Sequence, residues 1–246
     1  MPACPLAAVD KQPIRERVWD ELEESGEARF PFPPHERIPN FAGAADAADR
    51  LAGHVGPVET LKTNPDAPQL PYRRRALHEG AVCYFAQPRL RDERPFLRLD
   101  PTEIPPDERD RAPTVSHVDG YATPVGPEAV PGLDLILCGS VAVDERGGRV
   151  GKGEGFSDLE FAVLAELGAV SDDTLVATTV HERQVRASVP RDAHDVPMDL
   201  VVTPERAVET ETAYDRPTGV DWSLVDDEQV RETPVLSRLR GGAENA

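Results

Sequence analysis

The sequence predicts an α/β fold built on a mostly parallel sheet with both faces covered. Three observations predict it. Helical and extended segments alternate along the chain from residue 13 to residue 203. One extended segment, LDLILCGSVAVD (133–144), is a continuous apolar run, the pattern of a strand buried on both faces. Apolar residues make up 39% of 246, enough for a substantial core, while 25 prolines and 18 glycines mark many turns.

In chain order, residues 13–26 (IRERVWDELEESGE) place Ile14, Val18 and Leu22 four apart, which predicts an amphipathic helix. FPFPPHERIP is a proline-rich connector. AGAADAADRL (42–51) predicts a short helix capped by Asn40. VETLKTNPD reads as a strand running into a turn, and 73–79 as a helix that ends at Gly80. Residues 81–88 and 96–99 are strands. The polar, proline-rich stretch 101–132 is irregular. After the 133–144 strand, Gly147 and Gly148 form a turn. Ser157-Asp-Leu-Glu160 matches a capping box that opens a helix to Leu167, with Gly168 as its C-cap. Residues 174–181 and 198–203 complete the strands. The chain beyond Thr203 is polar and acidic, so the expected organisation is an α/β domain over 1–204 and a peripheral acidic arm with a frayed end over 205–246. No internal repeat is present.

The net charge of −18, from 45 acidic and 27 basic residues, disfavours nucleic acid and anionic membrane as partners, and Arg73, Arg74 and Arg75 form the sole basic run. Only three basic residues are lysines: Lys11, Lys62 and Lys152. An acidic, lysine-poor surface suits a halophilic protein kept soluble in high salt. A GC-rich genome favouring Arg, Ala and Asp codons gives the same bias. Cys4, Cys83 and Cys138 are scattered and form no C-x-x-C, which points to a reducing compartment without a disulfide framework. The first residues do not resemble a secretory leader, and no window holds 18 apolar residues, so the expected location is cytoplasmic.

The stretch RVGKGEGFSD (149–158) carries the chemistry. Gly151, Gly153 and Gly155 free the backbone to turn sharply and expose amide hydrogens just before a helix, whose dipole points the same way. Lys152 and Arg149 add positive charge. Asp158, in the first helical turn, is placed to hold Mg²⁺ against phosphates. The pattern is neither a Walker loop nor G-x-G-x-x-G. A tight turn before an ordinary capped helix is the other use of such a sequence. One of only three lysines falling inside this loop favours the anion-binding use.

Three segments together resemble the 5-formyltetrahydrofolate cyclo-ligase (methenyltetrahydrofolate synthetase) family. They are Lys11-Gln-Pro-Ile-Arg15, the run LDLILCGSVAVDERGGRVGKGEGFSD, and HDVPMDLVVTP (194–204). The resemblance implies an α/β three-layer sandwich with a mixed, mostly parallel sheet. It implies ATP-dependent cyclisation of 5-formyltetrahydrofolate to 5,10-methenyltetrahydrofolate, releasing ADP and phosphate, with Mg²⁺. Lys11 and Arg15 would contact the ATP phosphates. Arg149, Gly151, Gly153 and Gly155 would cradle them. Lys152 and Asp158 are the expected catalytic residues, Asp158 also the metal ligand. The chain departs from the family at Glu154, where a third glycine is usual, at Phe156-Ser157 in place of an aromatic pair, and at Leu159. The folate-side glutamate expected near 67–69 is replaced by Ala67-Pro68-Gln69. The chain thus looks like a divergent cyclo-ligase-like branch. A nucleotide-binding protein of the same fold, non-catalytic or acting on another substrate, is the alternative.

Other candidates are weaker. His181-Glu182 begins an H-E-x-x-H, but Val185 stands where the second histidine belongs, so a structural histidine is the favoured reading. His194-Asp195 reads as an acid–base pair or a polar turn. His117 and Asp119 lie in the irregular stretch. Ser140 follows a buried strand with no nucleophile motif. Phe30, Phe32 and Phe41 suit stacking on a pterin or, more commonly, core packing.

Overall fold

The computed structural model describes residues 10–87 and 90–243. Cys4, the final residue of the strand expected over 81–88, and the last three residues of the chain lie outside them.

The core is an eight-stranded sheet in the order β13-β12-β10-β7-β3-β4-β5-β6. Its five central strands are parallel: β12 (Leu200–Val202), β10 (Leu175–Thr179), β7 (Leu135–Cys138), β3 (Thr60–Thr63) and β4 (Val82–Ala86). Antiparallel strands close both sides: β13 (Ala207–Glu209) on one, β5 (Phe96–Leu99) and β6 (Thr123–Val125) on the other. The sheet is therefore mixed and mostly parallel.

Alternation along the strands sorts their side chains between two faces. Leu135 and Leu137 pack with Leu51, Tyr72, Ala76 and Leu77 of α2 (Ala44–Val55) and α3 (Leu70–Glu79). Ile136 and Cys138 pack with Phe161, Val163 and Leu164 of α4 (Phe156–Glu166) and with Val235 and Leu236 of the helix Pro234–Ala243. Two helical layers thus cover the sheet, giving the three-layer α/β sandwich. α1 (Gln12–Glu24) buries Val18, Trp19 and Leu22 against Val141 and against Ala142 and Val150 of a small separate sheet. That sheet joins β11 (Val185–Arg186), β8 (Ala142–Asp144) and β9 (Arg149–Val150). A two-stranded ribbon, β1 (Ala28–Arg29) with β2 (Asn40–Phe41), completes the molecule. No helix among the described residues is long and apolar enough to cross a membrane.

Three local expectations are corrected. The 133–144 run is two strands in two sheets, β7 and β8. A continuous apolar run looks the same whether one buried strand or two supply it. The break falls at Gly139, where an added Cβ would lie 2.8 Å from both Asp66 Oδ2 and Ile38. Asn40 does not cap a helix. It lies in β2, donates to the Phe30 carbonyl, and α2 starts after Gly43 at φ +81°. The Ser157–Glu160 capping box is also absent: α4 starts at Phe156 behind Gly155 at φ +71°, and the Glu160 carboxylate reaches across to β3. The stretch from 205 onward is bound into the body. It supplies the edge strand β13 and the fully buried Val235 and Leu236.

Candidate functional site

Strand order makes a crevice. From β7 the chain goes on to β10 and β12 on one side, while β3 and β4 lie on the other. Ligands of open α/β sheets bind beyond the carboxyl ends of the strands at such a reversal. A cavity of about 660 Å³ opens there. Its walls come from residues following β3 (Asn64, Pro65, Asp66), β4 (Gln87) and β7 (Gly139), from the start of α1, and from the glycine loop ahead of α4. All eight residues predicted for the site line it: Lys11, Arg15, Arg149, Gly151, Lys152, Gly153, Gly155 and Asp158.

The outer end is built by the glycine loop and α1. Arg15 donates from Nε to the Gly151 carbonyl at 2.7 Å, which ties α1 to the loop. Gly153 has φ +111°, and an added Cβ would lie 3.3 Å from the Arg15 guanidinium carbon, so this backbone position suits glycine on two counts. Each remaining cation carries a carboxylate. Lys11 Nζ lies 2.5 Å from Asp195 and 2.9 Å from Asp192. Lys152 pairs with Glu154 at 2.7 Å, so the departure at Glu154 neutralises its neighbour. Arg149 is buried, donates from Nη1 to the Gly139 carbonyl, and donates from Nη2 to both Asp158 oxygens at 2.7 Å. Burial opposes charge on Asp158, but the Arg149 charge and hydrogen bonds with the Val196 N–H outweigh it and hold the carboxyl below its usual range. Burial likewise opposes charge on Arg149, and Asp158 more than restores it.

The Mg²⁺ role expected of Asp158 does not fit this arrangement. Its oxygens accept from Arg149 and from the Val196 N–H, and its charge is already balanced. Asp192, His194 and Asp195 bring three ligand atoms within 4.8 Å of one another, but the Lys11 ammonium sits on both carboxylates.

The inner end offers acceptors. Lys62, in β3 and 1% exposed, donates to Glu160 Oε2 at 2.5 Å, and Asn64 Nδ2 donates to the same oxygen at 3.2 Å. Asn64 Oδ1 is buried with no hydrogen-bond partner among the described residues. Asp66 stands beside them. Burial pushes its carboxyl above the usual range, with Lys152 and Arg73 pulling the other way. The loop bearing Asn64 and Asp66 is clamped from behind by Arg73 of α3. Arg73 Nη1 donates to the Asn64 carbonyl at 2.6 Å and the Asp66 carbonyl at 2.8 Å.

Gln69, where an acidic residue was expected, does not line the cavity. It is buried, and its Oε1 accepts from Thr63 Oγ1 at 2.6 Å and the Asn64 N–H at 2.9 Å. Sequence reasoning missed Lys62, Asn64, Asp66, Arg73 and Glu160. The signal available was the scarcity of lysine: all three lysines pair with carboxylates that line this one cavity.

The other candidates separate clearly. His194 lines the cavity 4.0 Å from Asp195. His181 accepts the Arg183 N–H and caps a short 3₁₀ turn, a structural role. His117 bonds Thr114, and Ser140 is buried against Thr178. Phe30 is 78% exposed and Phe32 is also exposed, while Phe41 is in the core; none lines the cavity. Cys83 and Cys138 are buried and free, and burial pushes the Cys83 thiol up to about 12, which keeps it inert.

Comparison with known proteins gives the family and the fold. Residues 8–204 match the 5-formyltetrahydrofolate cyclo-ligase family. The chain is 42% identical over 239 residues to a methenyltetrahydrofolate synthase domain-containing protein of Mus musculus, a match covering 94% of this chain and 63% of that one. It is 40% identical over 248 residues to the protein so named in Bos taurus, covering 98% of this chain and 65% of that one. The chain thus spans a little under two thirds of these relatives. Among solved structures, the 5,10-methenyltetrahydrofolate synthetase of Aquifex aeolicus is similar in fold, with a TM-score of 0.51 at 18% identity over 83% of this chain and 95% of that one.

Proposed function

This chain belongs to the 5-formyltetrahydrofolate cyclo-ligase family, and from that premise we propose that it is an ATP-dependent cyclo-ligase closing 5-formyltetrahydrofolate to 5,10-methenyltetrahydrofolate. The observation that carries this reading is the pairing of two opposite chemistries in one cavity. A cationic, amide-rich loop faces outward and a set of acceptors lies inward at the strand reversal.

On this reading the triphosphate lies at the outer end. Exposed amides of the glycine loop and the charges of Lys11, Arg15 and Lys152 receive it, and the dipole of α4 adds to them. Arg149, held by Asp158 and the Gly139 carbonyl, fixes the loop from beneath. The pterin-type ring lies inward, its N–H donors meeting Asp66, Glu160 and Asn64 Oδ1. The formyl oxygen attacks the γ-phosphorus and ADP leaves. N10 then attacks the activated carbon, its proton passes to solvent, and phosphate departs with the carbon–oxygen bond pair. Phosphoryl transfer of this kind asks mainly for placed positive charge, which Arg15, and Lys11 and Lys152 once phosphate displaces the carboxylates they hold, would provide. Mg²⁺ supplies further charge when it arrives bound to the nucleotide; no step is assigned to a metal held by Asp158.

The test is the near-ultraviolet absorbance of the methenyl product, followed with Mg-ATP and 5-formyltetrahydrofolate in molar potassium chloride. ATP-dependent product, lost in Arg15→Ala, is the expected result. A second reading, a nucleotide-binding protein without this turnover, has one observation in its favour: Lys11, Lys152 and Arg149 each already hold a carboxylate. ATP binding by calorimetry with no product would establish that reading instead.

A further inference from the structure

A second cavity of about 760 Å³ adjoins the first. Glu154, Gly155, Phe156, Asp158 and His194 line both, so the glycine loop forms a shared wall. The remaining walls come from α4, through Leu159 and Ala162, and from residues 216–225. That segment lies beyond residue 204, where the match to the family ends.

The segment is anchored in place. The Val220 N–H donates to Glu166 Oε2 at 2.9 Å, Arg216 donates to the Thr174 carbonyl at 2.9 Å, and Arg216 also pairs with Asp199. Val220 itself is buried. Thus held, the segment gives the cavity a half-buried Trp222, Val225 and a Leu224 that remains 54% exposed. Phe156 and Leu159 line the same space, so one part of the wall is aromatic and aliphatic, with Gln229 and Thr218 as neutral polar groups, while Glu154, Glu166, Asp221 and Arg216 put charges at other points of the lining. A flat, apolar ring with a polar edge suits such walls. Its continuity with the anion cradle makes that ring part of a molecule whose phosphates lie at the loop.

We propose that this cavity receives the nucleoside of the bound nucleotide, with Trp222 as the residue that recognises the base. The inference rests on the reading of the loop as the triphosphate site, and adds that a segment outside the family-matched span determines which phosphate compound binds. Stacking of a base on an aromatic side chain corresponds to a gain of roughly 10-fold or more in affinity.

The experiment compares Mg-ATP with Mg-tripolyphosphate, the same phosphates without a nucleoside, by calorimetry on the full chain. ATP should bind at least about 10-fold more tightly. Trp222→Ala should remove most of that advantage while leaving tripolyphosphate affinity unchanged. A second measurement covers the case in which Trp222→Ala fails to fold. The chain has two tryptophans, and the other, Trp19, is buried in α1 with its indole N–H on the Arg37 carbonyl. In Trp19→Phe the remaining fluorescence reports Trp222, and ATP should change it where tripolyphosphate does not. Equal binding of the two compounds, with Trp222 fluorescence indifferent to ATP, would overturn the nucleoside site and leave the phosphate site standing. Binding of neither would overturn the phosphate site and this inference with it.

Discussion

Arg149 is almost wholly buried, and burial alone would drive its guanidinium toward neutrality. Asp158 keeps it charged, and Arg149 in turn keeps Asp158 ionised. Breaking a buried pair by neutralising one member leaves the other charge uncompensated, at a cost of about 3 kcal/mol. Asp158→Asn should therefore lower the urea midpoint at pH 7. Because the folded Asp158 carboxyl lies below its unfolded value of about 3.9, the pair's contribution is full above that pH and fades as pH falls through the folded value. The gap between wild type and Asp158→Asn should narrow below about pH 4; a gap that stays constant down to pH 3 would contradict the account. Glu154 poses the opposite case. It competes with phosphate for Lys152 in an exposed pair, worth about 1 kcal/mol at most, so Glu154→Gln should tighten ATP binding by up to about 5-fold in calorimetry at low salt. The sequence exposed Arg149 and Lys152 because glycines and a helix start flank them, and Lys11 and Arg15 through the family resemblance. It did not expose their partners. Lys11 meets Asp195 from 184 residues away and Lys62 meets Glu160 from 98 residues away, separations that no local pattern encodes.

Among the elements, the glycine loop divides its tasks between positions. Gly155 opens α4 at φ +71° with nothing near an added Cβ, so Gly155→Ala should cost only backbone strain, about 1–2 kcal/mol of stability. Gly153 has φ +111° and lies against Arg15, so Gly153→Ala strains the loop and displaces the side chain that ties it to α1. ATP affinity should fall about 10-fold in Gly153→Ala, the equivalent of that strain, and much less in Gly155→Ala. Calorimetry and urea unfolding on the two variants separate these effects; equal losses of affinity would remove the distinction. Strands and helices with strong periodicity or clear end signals, such as α1, β5 and the Gly80 end of α3, were legible in the sequence. The division of 133–144 between two sheets was not, because both halves are buried and only the close packing at Gly139 forces the chain to leave the first sheet. The capping box failed because Glu160 gains more from a buried lysine than from its own helix start.

For the molecule as a whole, the described residues beyond 204 contribute to the core through Val220, Val235 and Leu236. Leu236 is fully buried with Val235 beside the α4 layer, so Leu236→Ala should cost about 3 kcal/mol, seen as a lower urea midpoint with the slope unchanged. An unaffected midpoint would return this segment to the status of a loose arm. The acidic composition that suggested such an arm reflects its outer surface, whereas two adjacent aliphatic side chains decide its packing. The same segment supplies β13, and this bears on how copies of the protein behave toward one another. One border of the sheet is β13, three residues ending at Glu209, whose carboxylate bonds His54; the other is β6, three residues with Pro124 at their centre. A border so short, with a charge at one side and a missing amide at the other, gives an incoming strand almost no ladder to extend. The main sheet therefore offers crowded copies of the folded chain little to template a growing fibril, for as long as β13 stays in its place.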